Sequence, residues 1–278
     1  MEFFKYKYPV VLSIAGSDSG GGAGIQADLK TFSALGCYGT TAITAVTVQN
    51  TLGVSAVHAI PVAIVIGQIR AVMDDIRPAA IKIGMIPSAE LAIAIALVLK
   101  DYPHVPVIFD PVMVSSSGHQ LVGHDTLDSF KNALYPITQL LTPNLNEASL
   151  ISGIAVETVD DMKKAAGHII KLGCKAVLVK GGHLPGTDLV DVYLENKGVE
   201  YIFTSKAIDS PNTHGTGCTL SAAIASFIVL GNDMRTAIER AKAYVHQAIE
   251  QGKDVHTGDG HGPLNHFFDP QKMVRQTL

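Results

Sequence analysis

No run of lysine or arginine longer than two residues occurs in the chain, and its formal net charge is −4 with 17% charged residues. That leaves no basic footprint for nucleic acid or an acidic membrane surface. Apolar runs are short too. The longest, residues 91–99, covers nine residues, whereas crossing a bilayer takes roughly 20, so it is expected to be a buried helix. Residues 10–14 are too short for the apolar region of a signal peptide and lack a small-residue cleavage site, so nothing here directs export. Cysteine is scarce. Cys37, Cys174 and Cys218 are the three present; their odd number and their spacing imply neither a disulfide framework nor structural zinc, which fits a reducing, cytoplasmic compartment. Internal repeats, low-complexity tracts and long Pro/Gly/Ser linkers are missing as well, and residues 1–278 are expected to form one domain.

What is present is a large apolar fraction, 47% of residues, enough to bury a sizeable core. Short β-branched runs at 10–15, 42–48, 80–83, 105–109, 139–141 and 176–179 predict strands. Helical stretches at 24–35, 62–75, 88–100, 125–134, 145–151 and 160–172 lie between them. Runs apolar on both faces, separated by helices, imply a parallel sheet covered on each side. Residues 188–193 and 199–203 flank Asn196, Lys197 and Gly198, a hairpin turn that adds antiparallel strands at one edge. Helices at 217–230 and 234–251 close the chain, the second with Ala237, Ala241, Tyr244, Val245 and Ala248 on one stripe. The expected fold is α/β: a three-layer αβα sandwich around a mostly parallel, doubly wound sheet with antiparallel edge strands. Residues 258–268 are expected to be a Gly- and His-rich loop.

Four segments carry candidate chemistry. Residues 15–24 (AGSDSGGGAG) follow the first strand and open a helix; their glycines allow close backbone approach and expose amides. They miss the last glycine of the G-x-G-x-x-G dinucleotide fingerprint, at Ile25, and no Gly-Lys-Ser/Thr makes them a Walker loop. A ligand loop and a tight turn remain equally open. Residues 212–221 (NTHGTGCTLS) run into an apolar helix whose amino terminus suits a phosphoryl group, and the same field is expected to lower the thiol pKa of Cys218. The plainer alternative is glycines that cap and pack a helix around an inert thiol.

Residues 142–147 (TPNLNE) place Asn144 and Glu147 three apart at a helix start. They are oxygen ligands for a hydrated magnesium ion or an ordinary capping pair. Lys180 ends a strand at the edge where open α/β sheets collect ligands, and either neutralises phosphate or is simply solvated. Asp110 ends another strand, where it holds a metal-bound water or caps a turn.

Together these segments resemble the hydroxymethylpyrimidine/phosphomethylpyrimidine kinases of thiamin biosynthesis, a branch of the ribokinase-like superfamily. The likeness runs through residues 15–35, 44–53 (TAVTVQNTLG), 82–85 (KIGM), 142–147, 180–183 (KGGH), 212–221 and the closing 258–263 (GDGHGP) with His266 and Phe267. It implies an ATP- and Mg²⁺-dependent enzyme that phosphorylates 4-amino-5-hydroxymethyl-2-methylpyrimidine and then its monophosphate. It also implies a homodimer.

Carried over by position, Gly16, Asp18, Gln49 and Met85 match the pyrimidine side; relatives that favour pyridoxal carry Met where this chain has Gln49. A glutamine amide offers a donor and an acceptor to an aminopyrimidine edge. Asn144, Thr216 and Lys180 match the nucleotide side and Glu147 and Asp110 the metal, while Gly215 and Gly217 match the anion hole. Cys218 matches the catalytic position, where most of the superfamily has an aspartate base.

The resemblance suggests that a Cys218 thiolate accepts the alcohol proton in the first step. The second step, with an already anionic phosphate monoester as nucleophile, needs only positioning. A lid or hinge at residues 20–24 is a further expectation. The nearest rival is a pyridoxal kinase on the same fold; a sensor that binds without turnover is disfavoured by Lys180, Glu147 and Cys218, and a dehydrogenase by the incomplete fingerprint.

Overall fold

The computed structural model describes residues 4–113, 123–182 and 188–278. His183, part of the 180–183 segment, lies outside the described residues. The described residues form two sheets. The small one pairs β1 (Tyr6–Lys7) with β11 (Gln276–Thr277), antiparallel. The large one comprises β2 (Val10–Asp18), β3 (Tyr38–Asn50), β4 (Gly53–Ala59), β5 (Ala80–Ile83), β6 (Val107–Phe109), β7 (Leu140–Leu141), β8 (Ala176–Val179), β9 (Asp188–Glu195) and β10 (Glu200–Lys206). Its order is β10-β9-β8-β7-β6-β5-β2-β3-β4. The pairs from β3 through β2, β5, β6 and β7 to β8 are parallel, whereas β9 and β10 are antiparallel at one edge and β4 at the other. Antiparallel strands therefore occur at both edges, not at one. β4 escapes the apolar-run criterion because it is almost entirely solvent-facing.

The helices are α1 (Gly24–Ala34), α2 (Val62–Asp75), α3 (Ala89–Leu99), α4 (His124–Ser129), α5 (Leu145–Ser152), α6 (Val159–Ile170), α7 (Thr216–Val229) and α8 (Met234–Glu250). The single helix expected over 125–134 is divided, because the chain widens into a π-helical turn over Phe130–Leu134 after α4. Local chemistry sets several starts: Ser88, Asn144, Thr158 and Asp233 each accept the backbone N–H of the third residue of α3, α5, α6 and α8, the usual N-cap arrangement.

Side chains alternate strictly across the parallel strands, as the period of two demands. Leu12, Ile14, Ile81, Ile83, Val107, Phe109, Leu141, Val177 and Val179 pack towards α2, α3, α5 and α6. Val11, Ala80, Ile108, Leu140, Ala176 and Leu178 pack towards α1, α7 and α8. Each fully buried Val, Leu or Ile contributes roughly 1.5–3 kcal/mol, so the two apolar faces fix the three layers. α3 is buried on one face only; Ile93 and Leu97 are exposed. Among the described residues no helix is long and apolar enough to cross a membrane.

Candidate active site

At the carboxyl ends of the parallel strands opens a cavity of about 1020 Å³, the place where a doubly wound sheet leaves room for a ligand. A smaller cavity of about 330 Å³, lined by Tyr8, Tyr38 and Arg77, lies at the strands' amino ends. Every candidate residue named from the sequence lines the larger one: Gly16, Asp18, Gln49, Met85, Asp110, Asn144, Glu147, Lys180, Gly215, Thr216, Gly217 and Cys218.

Two of them sit where the sheet is irregular. Gly16 lies at a register shift between β2 and β3, and Gln49 at one between β3 and β4. Such shifts re-aim side chains at strand ends. A Cβ on Gly16 would lie 3.2 Å from Met85 Sδ, so the glycine lets Met85 close over the strand end.

The glycine loop after β2 is organised by Asp18. Its carboxylate accepts the amides of Gly20 at 2.8 Å, Gly22 at 3.0 Å and Ala23 at 2.8 Å, and His214 Nε2 lies 2.9 Å from Oδ2. Burial works against the charge on Asp18, but His214 and these amides outweigh it and hold the carboxyl below its usual range. The exposed amides expected for a ligand are therefore occupied by Asp18. The loop is a built support rather than an open cradle.

The amino terminus of α7 lies at the same cavity. Its N-cap, Gly215, has φ 85° and no side-chain cap, and a Cβ there would stand 1.8 Å from Gly22 O. Only glycine allows both this backbone and the contact with the first loop. The first amides of a helix have no intrahelical acceptors; Thr216 N is bonded back to Thr213 O at 3.3 Å, and Gly217 and Cys218 line the cavity. Thr216 Oγ1 turns back to donate to Thr213 O at 2.7 Å. A Cβ on Gly217 would lie 3.3 Å from Lys180 Nζ and 3.4 Å from Asp110 Oδ2, which places those charged groups against the first turn of α7.

Lys180 is not a solvated strand-end lysine. Its side chain is 15% exposed and its ammonium lies 2.8 Å from Asp110 Oδ1; Thr142 Oγ1 donates to the same carboxylate at 3.2 Å. Burial disfavours the charge on Lys180, yet Asp110 and Glu147 more than compensate and raise its pKa. Asn144 and Glu147 form a reciprocal capping box: Asn144 N donates to Glu147 Oε2 at 2.7 Å, and Glu147 N to Asn144 Oδ1 at 2.9 Å. Burial pushes the Glu147 carboxyl up to about 7, opposed by Lys180 and reinforced by Asp110. Two carboxylates thus face one ammonium, a local shortage of positive charge that a divalent cation with oxygen ligands would fit.

Cys218 differs from expectation. Burial pushes its thiol up to about 11, with Lys82 pulling the other way and Asp28 and Asp110 adding to the rise. Desolvation outweighs the helix field, so the group is a neutral thiol at pH 7.

Sequence reasoning missed four participants. Lys82 and Asp28 form an ion pair at 2.9 Å with both side chains fully buried, and Ser13 Oγ donates to Asp28 at 2.5 Å. Asp191 accepts Gly181 N at 2.8 Å and pairs with Lys242 of α8. Charged residues inside otherwise apolar strands, Lys82 in β5 and Asp191 in β9, were the available signal. The closing segment is explained as well. His214 N donates to Gly262 O at 3.0 Å, His261 N to Thr51 O at 3.0 Å, and Asn212 Nδ2 to Gly252 O and Val255 O at 2.7 Å each. It ties the segment before α7 to the β3–β4 turn.

Residues 18–265 match the family model described as phosphomethylpyrimidine kinase. The chain is 46% identical over 272 residues to a chloroplastic thiamine biosynthetic bifunctional enzyme of Arabidopsis thaliana, covering 95% of this chain but 52% of that protein. It is also 46% identical to the hydroxymethylpyrimidine/phosphomethylpyrimidine kinase of Rhizobium meliloti, covering 93% of this chain and 97% of the other. The chain thus spans about half the length of the bifunctional relative and nearly all of the shorter kinase. Among solved structures, the phosphomethylpyrimidine kinase of Clostridium difficile 630 superposes with a TM-score of 0.77 at 44% identity, covering 86% and 99% of the two chains. The pyridoxal kinase of Staphylococcus aureus, in complex with AMP-PCP and pyridoxal, superposes at 0.85 with 33% identity, covering 94% of each. With a family model across most of its length and relatives at this identity, the chain belongs to the phosphomethylpyrimidine kinase family.

Proposed function

We propose that this chain is an ATP-dependent kinase, one domain over residues 1–278, that phosphorylates 4-amino-5-hydroxymethyl-2-methylpyrimidine and then the resulting monophosphate to the diphosphate. The observation that carries this is a continuous line of contacts within one cavity. Gln49 meets His214 at 3.3 Å, His214 directly precedes Gly215, and the first turn of α7 faces Lys180 and Asp110. A heterocycle-recognising amide and an anion-binding helix terminus are thereby held within reach of one substrate.

In the first step the hydroxymethyl oxygen attacks the γ-phosphorus, the bond to ADP breaks, and the alcohol proton must leave. The α7 amides and Lys180 neutralise charge on the transferred group, the dominant requirement of phosphoryl transfer. Asp110 and Glu147 would hold a magnesium ion bound with the nucleotide, which supplies further charge neutralisation. The small fraction of Cys218 present as thiolate, its pKa being raised to about 11, takes the alcohol proton late in bond formation and becomes the thiol. In the second step the dianionic phosphate needs no base. The family resemblance, the nucleotide-analogue complex of the pyridoxal kinase neighbour and the acidic pair beside Lys180 support this reading.

The test is a coupled ATP-consumption assay with mass detection, offering the hydroxymethylpyrimidine, its monophosphate and pyridoxal separately with Mg²⁺. Formation of the diphosphate supports the proposal; turnover of pyridoxal alone keeps the fold and replaces the substrate.

A further inference from the structure

The surroundings of Gln49 decide which way its amide points. Thr47 Oγ1 lies 2.9 Å from Ser17 O and 3.1 Å from Gln49 Oε1. A hydroxyl carries one proton and a backbone carbonyl can only accept, so that proton belongs to Ser17 and Thr47 has only lone pairs left for Gln49. At the other end of the amide, His214 Nε2 lies 2.9 Å from Asp18 Oδ2 and 3.3 Å from Gln49 Nε2. Asp18 is an ionised acceptor, already serving three backbone amides. His214 Nε2 therefore carries a proton, and a protonated ring nitrogen has no lone pair for an NH₂ group. Both contacts make the same demand: a half-turn of the amide that brings its NH₂ to Thr47 and its carbonyl to the His214 Nε2–H, which goes chiefly to Asp18 at 2.9 Å and reaches Gln49 only as the longer arm, 3.3 Å, of a shared bond. The two ends are nearly isosteric, so the turn changes hydrogen bonding and not packing.

We infer that Thr47 and the Asp18-held His214 pin the Gln49 amide in this single orientation, and that the pinning makes the site specific for a 4-amino rather than a 4-oxo pyrimidine. The inference rests on the function proposed above. Gln49, Thr47 and His214 all line the cavity. With one N–H given to Thr47 and the carbonyl turned towards the N–H that His214 shares with Asp18, the remaining N–H and a carbonyl lone pair stand side by side in fixed order. A 4-aminopyrimidine presents an exocyclic donor beside a ring-nitrogen acceptor, which complements that order. The 4-oxo compound presents a carbonyl acceptor beside a ring N–H, the inverse pattern. An unpinned glutamine would turn over and accept either; a pinned one cannot, so the wrong partner leaves buried groups unpaired.

His214 has little room to relax. It is buried, and a Cβ on Gly22 would come within 2.3 Å of its Cδ2. Because the next residue is the N-cap of α7, the same segment orients the reader of the heterocycle and presents the anion-binding terminus. Thr47, Asp18 and His214 are positioning residues that act through Gln49.

The experiment compares kcat/KM for 4-amino-5-hydroxymethyl-2-methylpyrimidine and its 4-oxo analogue in the wild type, Thr47→Val and Thr47→Ser. The wild type is expected to prefer the amino compound by at least about tenfold. In Thr47→Val, whose side chain is isosteric, the preference falls severalfold, through KM; Thr47→Ser keeps the hydroxyl and the preference. An unchanged ratio in Thr47→Val, or an equal fall in Thr47→Ser, overturns the inference. If the wild type phosphorylates neither pyrimidine, the functional reading fails, and the side-chain NH₂ signal of Gln49 in ¹⁵N–¹H spectra, assigned with Gln49→Met, decides the pinning by itself. Protection of one proton from solvent exchange that disappears in Thr47→Val supports it, whereas equally fast exchange in both proteins overturns it.

Discussion

The Lys82 ammonium and the Asp28 carboxylate lie 2.9 Å apart with no exposed side-chain surface on either, and Lys82 lines the same cavity as Cys218. Lys82 comes from the end of β5 and Asp28 from the middle of α1, so the pair fastens the helix that follows the glycine loop to the centre of the sheet. Burial disfavours the charge on Lys82, but Asp28, Cys218 and Asp110 together raise its pKa. A fixed positive charge is thus stored close to the thiol.

Lys82→Met should destabilise the fold by about 3–5 kcal/mol, because it leaves Asp28 buried without a partner. The double variant Lys82→Met/Asp28→Asn should recover much of that loss. Urea unfolding of the three proteins checks it; a double variant no more stable than Lys82→Met would show that the pair does not act as a unit.

Cys218→Ala should damage the first phosphorylation far more than the second, since only the first has an alcohol proton to remove. With the thiol pushed up to about 11, the thiolate fraction rises about tenfold per pH unit below that value. The first-step rate of the wild type should therefore keep climbing between pH 7 and pH 9 while the second does not. Single-turnover rates with each substrate test this, and equal losses in both steps would assign Cys218 a purely geometric role.

Glu147 makes stability depend on pH in a definite direction. Its carboxyl is pushed up to about 7 from an ordinary value near 4.5, so the folded state binds the proton more tightly than the unfolded chain does. Its contribution is full at low pH and is lost as pH rises through about 7. Glu147→Gln, which keeps an oxygen for the capping box, should lose less stability than the wild type between pH 5 and pH 7.5 by chemical denaturation. Parallel curves for the two proteins would contradict the burial effect.

Gly262→Ala should disturb the site from a distance. A Cβ there would meet Asn212 Oδ1 at 1.9 Å, and Asn212 cannot swing away because its amide is bonded to Gly252 O and Val255 O. Overpacking of this kind costs about 1–3 kcal/mol. The thermal midpoint should fall and KM for the heterocycle should rise, since His214 N hangs on Gly262 O. A variant with wild-type midpoint and KM would mean that the closing segment does not brace the site.

How much of this was legible beforehand follows from which forces are local. The alternation of apolar residues fixes strands and helices through burial alone, so β5, β8 and α2 fall where their periodicity places them. Capping is local too, and Asn144 with Glu147 is recognisable from a spacing of three. The motifs that carry the family resemblance are continuous stretches, so the family and the cast of candidate residues were available from the sequence by itself. β4 was not, because an exposed edge strand takes its order from pairing with β3 rather than from burial.

Only the tertiary structure decided the electrostatics. A helix terminus next to Cys218 argues for a lowered pKa, but the enclosing residues arrive from β5, α1 and β6, and desolvation by that enclosure outweighs the field. The partnership of Lys82 with Asp28, and the meeting of Thr47, His214 and Asp18 around Gln49, join residues up to 196 positions apart. Pairings over such distances depend on which strand ends and loops the folded sheet gathers in one place. A sequence names the donors and acceptors; the assembled cavity determines which proton goes where.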